Sequence, residues 1–442
     1  MKHCFNVLFF YLLTQSTTIS AQQGSTPNFI IMIADDAGWK DFGAYGNQGI
    51  RTPHIDRLAR EGLSFTNAFL TTSSCSPSRC SILTGRYPHS TGAQNLGMPL
   101  PADQVIFPGE LQKAGYYTAA AGKWHIGPKR TEFDAIYGWG GRSGCGFWEQ
   151  ALLDRPMDQP FFMWFAAVDP HRSYQEGTIP EPHDPSDVTV PPYLPDNDSV
   201  RKDLAMYYDE ITRLDSYVGK VLHILEEQEV QNNTVVIFMS DNGSPFPRAK
   251  NRLYDSGIKM PFIIRYPDQI AGGARTSSLV SSIDIFPTFC KLADLDIPES
   301  AQGISFTKIL NNQGKKTRKA VYAEHNWHDF LAHERSVRTD QYLYIWNAYP
   351  ELNANPPGDV ARGTTFQEMI SLYKNGALTN EQEDCFIAPR PAEELYDMIN
   401  DPYQLNNLIE NEQYSRILKN MRKKLEKWKD DTNDSVPENP EP

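Results

Sequence analysis

Two pairs of oxygen-bearing side chains each follow an apolar run of strand length. Asp35 and Asp36 come directly after NFIIMIA, and Asp241 and Asn242 come directly after TVVIFMS. Such runs are typical of buried parallel strands, whose carboxyl ends meet at one edge of a sheet. Carboxylate and amide oxygens, without histidine or cysteine, suit a hard cation such as Ca²⁺ or Mg²⁺ rather than zinc. The sequence therefore predicts a divalent-cation site at this edge.

A cysteine begins the segment CSPSRCSILTGR, whose first residue is Cys75. Pro77 suits the first turn of a helix, because the amide hydrogen that proline lacks would have no partner there. The pattern therefore predicts that Cys75 lies at a helix N-terminus. Unpaired backbone donors and the helix dipole favour an anion at that position.

The cysteine segment has the form C-x-P-S-R-x-x-x-L-T-G-R and resembles the signature of the formylglycine-dependent sulfatase family at every fixed position. The resemblance implies that Cys75 is oxidised to formylglycine (3-oxoalanine), whose hydrated form attacks sulfur with one hydroxyl oxygen. The second hydroxyl then lets the aldehyde re-form and releases sulfate without attack by water on sulfur. The resemblance also implies one calcium ion, held by residue 75 together with Asp35, Asp36, Asp241 and Asn242.

Further motifs are similar to sulfatase segments that hold the substrate. GKWHIG implies that Lys123 neutralises a sulfate oxygen and that His125 bonds the hydrated aldehyde and helps to remove its proton. DPHR makes His171 the acid that protonates the leaving group. Lys250 matches a basic position that contacts substrate. Arg79 is expected to brace the nucleophile and the metal ligands.

Within the family, the segments DNGSPFP, DPHR and VPPYLP look most like the heparan N-sulfatase (sulfamidase) branch. Two departures leave O-sulfate and N-sulfate substrates both open: Lys250 stands where that branch has arginine, and residues 255–257 replace Trp-Pro-Gly. The leading hypothesis is a sulfatase acting on a sulfated carbohydrate. The alternatives are a heparan N-sulfoglucosamine sulfohydrolase, a formylglycine phosphonate or phosphodiester hydrolase, and an inactive glycan-binding protein.

The sequence also bounds the partners of the protein. A sulfated oligosaccharide is the expected substrate, and a formylglycine-generating or equivalent enzyme is the expected maturation partner. The net charge of −13, from 42 basic and 55 acidic residues, argues against a nucleic-acid partner. Several residues of the C-terminal part could line the substrate pocket: Trp327, His328, His333, Trp346 and Tyr349.

Strand and helix patterns alternate along most of the chain. Strand candidates include YYTAAAG, FFMWFAAV and PFIIRYP, and the clearest helix covers 203–228. The alternation predicts an α/β fold with a large, mostly parallel sheet sandwiched by helices, and the family resemblance implies an alkaline-phosphatase-like version of it. We expect a catalytic domain over 22–315, a smaller α+β subdomain over 316–430 and a disordered tail over 431–442.

The first 21 residues have the features of a cleaved secretory signal peptide. Lys2 precedes an apolar run over 4–13, and small residues lead up to Ala21. The run is too short to cross a bilayer, which takes about 20 residues. The signal predicts a secreted or periplasmic enzyme without a membrane span. The five cysteines that remain after cleavage are too sparse for a disulfide scaffold.

Overall fold

A mostly parallel eight-stranded sheet is the centre of the computed structural model, which describes residue 1 and residues 26–438. The first ten strands are β1 (Asn28–Ala34), β2 (Leu63–Phe65), β3 (Ala68–Phe69), β4 (Tyr117–Gly122), β5 (Ala135–Tyr137), β6 (Phe161–Ala166), β7 (Thr234–Ser240), β8 (Phe262–Arg265), β9 (Ala274–Thr276) and β10 (Val280–Ser281). The sheet order is β5-β4-β6-β1-β7-β8-β2-β9, and β8 alone runs antiparallel to its neighbours. Strands β3 and β10 pair separately.

Helices cover both faces of this sheet. The α-helices of the described residues are α1 (Pro53–Glu61), α2 (Cys75–Thr84), α3 (Pro88–Thr91), α4 (Phe107–Lys113), α5 (Trp148–Leu153), α6 (Asp198–Glu227), α7 (Asp255–Ile258), α8 (Ile285–Leu292), α9 (Thr307–Asn311), α10 (Gly358–Ala361), α11 (Thr364–Lys374) and α12 (Ser415–Thr432). Alternate residues of β1 enter two different cores: Ile30 and Met32 pack with α1, α5 and α6, whereas Ile31 and Ile33 pack with α2, α4 and α8. The predicted α/β sandwich is thereby confirmed.

A second, antiparallel sheet follows near the C-terminus. Its strands are β11 (Val321–His325), β12 (Glu334–Arg338), β13 (Tyr342–Asn347) and β14 (Glu393–Asp397), paired in that order. Helix α12 packs on this sheet through Trp428, whose ring stacks on Tyr322 at 5.2 Å between centroids. This arrangement confirms the predicted smaller α+β region.

Helical structure continues beyond residue 430, although the sequence predicts a disordered tail over 431–442. Helix α12 ends at Thr432, and the carboxylate of Asp434 then accepts hydrogen bonds from Arg335 Nε and Nη2 at 2.6 and 2.8 Å. Both side chains are buried. The buried pair ties the chain after α12 to strand β12.

The predicted signal peptide lies, apart from Met1, outside the described residues. Within residues 26–438, no helix is both long and apolar enough to cross a membrane. The described cysteines are all buried and free: Cys75, Cys80, Cys145, Cys290 and Cys385.

Two acidic residues near the C-terminus offer a test of this ordered end. Breaking the buried pair leaves the charge of Arg335 without its carboxylate, so Asp434→Ala should lower the free energy of unfolding in urea by about 3 kcal/mol. Asp431 pairs with Lys427 in solvent, so the matched control Asp431→Ala should lose less than about 1 kcal/mol. Equal losses for the two variants would contradict the buried pair.

Candidate functional site

The carboxyl ends of β1 and β7 bring four oxygen-bearing side chains together. The two strands pair in parallel up to Ala34 and Ser240, so the residues that follow each strand are neighbours. Asp35, Asp36, Asp241 and Asn242 are all fully buried. The Asp36 backbone N–H donates to Asp241 Oδ1 at 3.2 Å, and Asn242 Nδ2 donates to Asp36 Oδ1 at 2.5 Å. The structure therefore gathers the four predicted metal ligands at one sheet edge.

Two basic side chains lie against these carboxylates. Arg79 Nε donates to Asp241 Oδ2 at 2.8 Å, and Arg79 Nη1 donates to the backbone oxygen of Lys123 at 2.7 Å. Lys123 Nζ donates to Asp35 Oδ2. Burial acts to raise the pKa of Asp35, but the charges of Lys123, His171 and Arg79 hold it well below its ordinary value. Arg79 thus links the acidic edge to the segment at Lys123, as expected of a bracing residue.

Cys75 is the first residue of α2 and lies at the same edge. Its side chain is buried, and its Sγ is 3.7 Å from Asp36 Oδ1. Burial raises the pKa of the Cys75 thiol well above its ordinary value, although Lys123 and Lys250 act in the opposite direction. Because the thiolate is the nucleophilic form of cysteine, the unmodified side chain is poorly suited to attack.

The chemistry of the edge fits a hard cation. Among the described residues, the buried oxygens Asp35 Oδ1 and Asn242 Oδ1 have no hydrogen-bond partner. Asp35, Cys75 and Asp241 each present a ligand atom within 4.8 Å of the others. Burial raises the pKa of Asp241 to about 6, and a cation beside this carboxylate would lower it again. Unpaired oxygens among charged carboxylates are what Ca²⁺ or Mg²⁺ requires.

Lys250 joins the acidic edge to a carboxylate from the C-terminal half of the chain. Its Nζ is 2.7 Å from Asp36 Oδ2 and 2.7 Å from Asp359 Oδ2. His171 Nε2 lies 3.4 Å from Asp359 Oδ2 and 3.8 Å from Asp36 Oδ2. The group of Asp36, His171 and Asp359 could by distance also hold a metal. In that group, the Lys250 ammonium already supplies a positive charge between the carboxylates of Asp36 and Asp359.

Two histidines, the half-buried His125 and the buried His328, lie in the same region of the structure. Burial and the charge of Lys123 lower the pKa of His125 to about 4, and its Nδ1 has no partner among the described residues. His328 Nδ1 lies 2.8 Å from the hydroxyl of Ser74, the residue before Cys75. Burial lowers the pKa of His328 well below its ordinary value. Both rings are therefore neutral near pH 7.

The other residues that were predicted to line the substrate pocket make the following contacts. His333 is buried and makes edge contacts with Trp346 and Tyr349, at 5.9 and 6.2 Å between ring centroids. The His333 ring therefore contacts both aromatic rings. Trp327 contributes its backbone N–H to Asn95 Oδ1 at 3.3 Å.

Asp359 also lies at this site, beside Lys250 and His171, but no sequence pattern identifies it. It lies in the four-residue helix α10, within a polar stretch that has little periodicity, and it does not directly follow a strand. Close to it in the chain, the start of α11 is anchored by the carboxylate of Asp203, which accepts hydrogen bonds from Arg172 Nη1 and Nη2 at 2.9 and 2.7 Å. Asp203 Oδ2 also accepts from the Thr365 backbone N–H and hydroxyl at 3.1 and 2.6 Å. The start of α11 is thereby tied to the residue that follows His171.

Comparisons with known proteins show which family the chain resembles. The family model described as Sulfatase matches residues 27–143 and 146–295, and the one described as N-sulphoglucosamine sulphohydrolase, C-terminal, matches residues 248–376. An ulvan-active sulfatase of Formosa agariphila is 30% identical over 91% of this chain and 74% of its own length. The human N-sulphoglucosamine sulphohydrolase is 33% identical over 92% of this chain and 90% of its own length.

The fold is also found among solved structures. A protein crystallised with its substrate D-glucosamine-2-N,6-O-disulfate superposes with a TM-score of 0.74 over 94% of this chain and 100% of its own chain. The two sequences are 23% identical. The likeness supports the same arrangement of sheet and helices in both proteins.

The two acidic clusters make different predictions for cation binding. If Asp35, Asp241 and their neighbours hold the ion, calcium should raise the melting temperature of the wild type. At about 100-fold excess over Kd, the gain in the free energy of unfolding should be about 2.7 kcal/mol. Asp241→Ala should abolish this shift, measured against a chelator-treated sample. Asp359→Asn, whose carboxylate faces Lys250, is the matched control and should keep it. The opposite pattern would place the cation in the other cluster.

Proposed function

This chain belongs to the sulfatase family and is a hydrolase of sulfate esters, and we propose that it removes sulfate from a sulfated saccharide with residue 75, as formylglycine, as its nucleophile. The observation that carries the proposal is the place of Cys75. It begins α2, is buried beside Asp36, and lies between oxygens that fit a hard cation and the ammonium groups of Lys123 and Lys250.

The substrate class rests on the relatives together with the charge of the site. The similar proteins are named for ulvan and for N-sulphoglucosamine, and the similar structure holds a sulfated glucosamine. Lys123, Lys250 and Arg79 supply the positive charge that a sulfate group needs in a buried pit. The proposed signal peptide over 1–21 would deliver the enzyme to the secreted or periplasmic space, where polymeric sulfated saccharides are met.

Two further groups, a formylglycine at residue 75 and a calcium ion, would complete the chemistry. Formylglycine, made from Cys75 by a maturation enzyme, would supply the hydroxyl oxygen that attacks sulfur and then release sulfate by returning to the aldehyde. Calcium, held by Asp35, Asp36, Asp241 and Asn242, would offset negative charge on the sulfate oxygens.

The side chains of the chain itself divide the remaining work. Lys123 and Lys250 hold the sulfate oxygens from two sides. His125, neutral near pH 7, accepts a proton from the hydroxyl at residue 75. His171 Nδ1 donates to the backbone oxygen of Arg172 at 2.5 Å, so its Nε2 faces the site and can pass a proton to the leaving group. Arg79 keeps α2 against Asp241.

The first test concerns Cys75. Mass spectrometry of the peptide that contains this residue should show the mass expected when a thiol is replaced by an aldehyde. Cys75→Ala should abolish sulfate release without lowering the melting temperature. Cys290→Ala changes another buried cysteine and should retain activity. Wild-type turnover by Cys75→Ala would end the proposal.

The second test separates His171 from His125. A sugar leaving group needs a proton more than an activated phenol does, so His171→Ala should lose about 10²–10⁴-fold in rate on a sulfated sugar and far less on an aryl sulfate. His125→Ala should lose heavily on both, because its step is common to all substrates. The exposed His223 provides a control, and His223→Ala should behave as the wild type. Equal losses for His171→Ala with unequal losses for His125→Ala would reverse the two roles.

A further inference from the structure

Asp359 places a carboxylate on the open side of the pit. Its side chain is 15% exposed and that of His171 is 26% exposed, whereas Asp36 and Lys250 are almost completely enclosed. In the proposed function, the enclosed end would receive the sulfate group, and the saccharide would extend past Asp359 and His171. Asp359 Oδ2 is 3.4 Å from His171 Nε2, the nitrogen that faces the leaving group in the proposed function.

The position of this carboxylate needs an explanation, because a pit for an anion gains nothing from an additional negative charge. The other three carboxylates of the site, on Asp35, Asp36 and Asp241, surround the candidate cation site. Lys250 does not require Asp359 for neutralisation, since Asp36 lies at the same 2.7 Å from its Nζ. The hydrogen bonds that described residues make to Asp359 all go to Oδ2, which leaves Oδ1 available to the substrate.

An ionised carboxylate can only accept hydrogen bonds. In an O-sulfate, the atom that joins sulfur to the sugar is an ester oxygen, which is also only an acceptor. It could form no hydrogen bond with Asp359. The bridging atom of an N-sulfate is a nitrogen that carries one hydrogen. A hydrogen bond from this N–H to a carboxylate is charge-assisted and among the stronger ones in proteins.

We propose that Asp359 is a specificity-determining residue that accepts the N–H of a sulfamate leaving group and thereby favours N-sulfated over O-sulfated saccharides. The inference rests on the proposed function. In the reaction the N–S bond breaks, sulfur keeps its three oxygens and gains one from the hydroxyl at residue 75, and the nitrogen takes a proton from His171. With water, a sulfamate becomes sulfate and an ammonium group. The cationic product is then attracted by the same carboxylate.

The neighbouring structure holds Asp359 in place for this contact. The segment after α10 is seated on Arg172, because a Cβ at Gly363 would lie 2.8 Å from the Arg172 guanidinium carbon. Arg172 and Thr365 share the carboxylate of Asp203. These contacts join the segment that follows Asp359 to the residue that follows His171.

The test compares kcat/KM for glucosamine N-sulfate and glucosamine 6-O-sulfate, using the full chain with its cation. The wild type should favour the N-sulfate. Asp359→Asn preserves the shape of the side chain but offers an N–H that can face an ester oxygen, so it should reduce the N-to-O ratio by about 10–100-fold. Asp329 accepts a hydrogen bond from the Gly358 backbone, and the control Asp329→Asn should leave the ratio unchanged.

A second measurement does not depend on a variant that folds. Glucosamine should inhibit the wild type more strongly than N-acetylglucosamine does, because only the free amine presents a cation to Asp359. A wild-type preference for the 6-O-sulfate, or equal losses on both substrates in Asp359→Asn, would overturn the inference and leave the sulfatase proposal standing. Failure to release sulfate from these sugars and from an aryl sulfate would overturn both.

Discussion

The burial of like charges at the ends of β1 and β7 is the constraint on which the rest of the site depends. Asp35, Asp36 and Asp241 are fully enclosed, and enclosed carboxylates at such short range are tolerated only when positive charge lies beside them. Arg79 arrives from α2 and Lys123 from the end of β4. Each positive group comes from a different segment, so the site is complete only when the sheet and its helices have assembled.

The C-terminal half contributes to the same charge balance. Asp359 and His328 come from segments beyond the large sheet and lie beside Lys250 and Ser74. With the histidines left aside, the site has one more negative charge than positive: its carboxylates are Asp35, Asp36, Asp241 and Asp359, and its cations are Arg79, Lys123 and Lys250. A divalent cation reverses that sign. In the proposed function, the cation would turn an acidic site into one that attracts a sulfate anion.

The sequence predicts those features that local patterns encode. Apolar runs that are followed by pairs of Asp or Asn residues predicted β1, β7 and the acidic edge. The segment that begins at Cys75 carried the family resemblance. Helix α6 begins at Asp198 rather than at the predicted residue 203, because Asn197 caps it by accepting a hydrogen bond from the Val200 N–H. Tertiary contacts were not predictable from local patterns. Asp359 acquires its role from Lys250, 109 positions away, and no local pattern records that contact.

The most direct test of this account is the affinity of the Cys75→Ala protein for inorganic sulfate, measured by calorimetry with calcium and after complete chelation. The variant keeps the charged groups and lacks the nucleophile, so it reports binding without turnover. The account predicts one sulfate bound per chain when calcium is present and loss of that binding when calcium is removed. Sulfate binding of equal affinity in both conditions would contradict it.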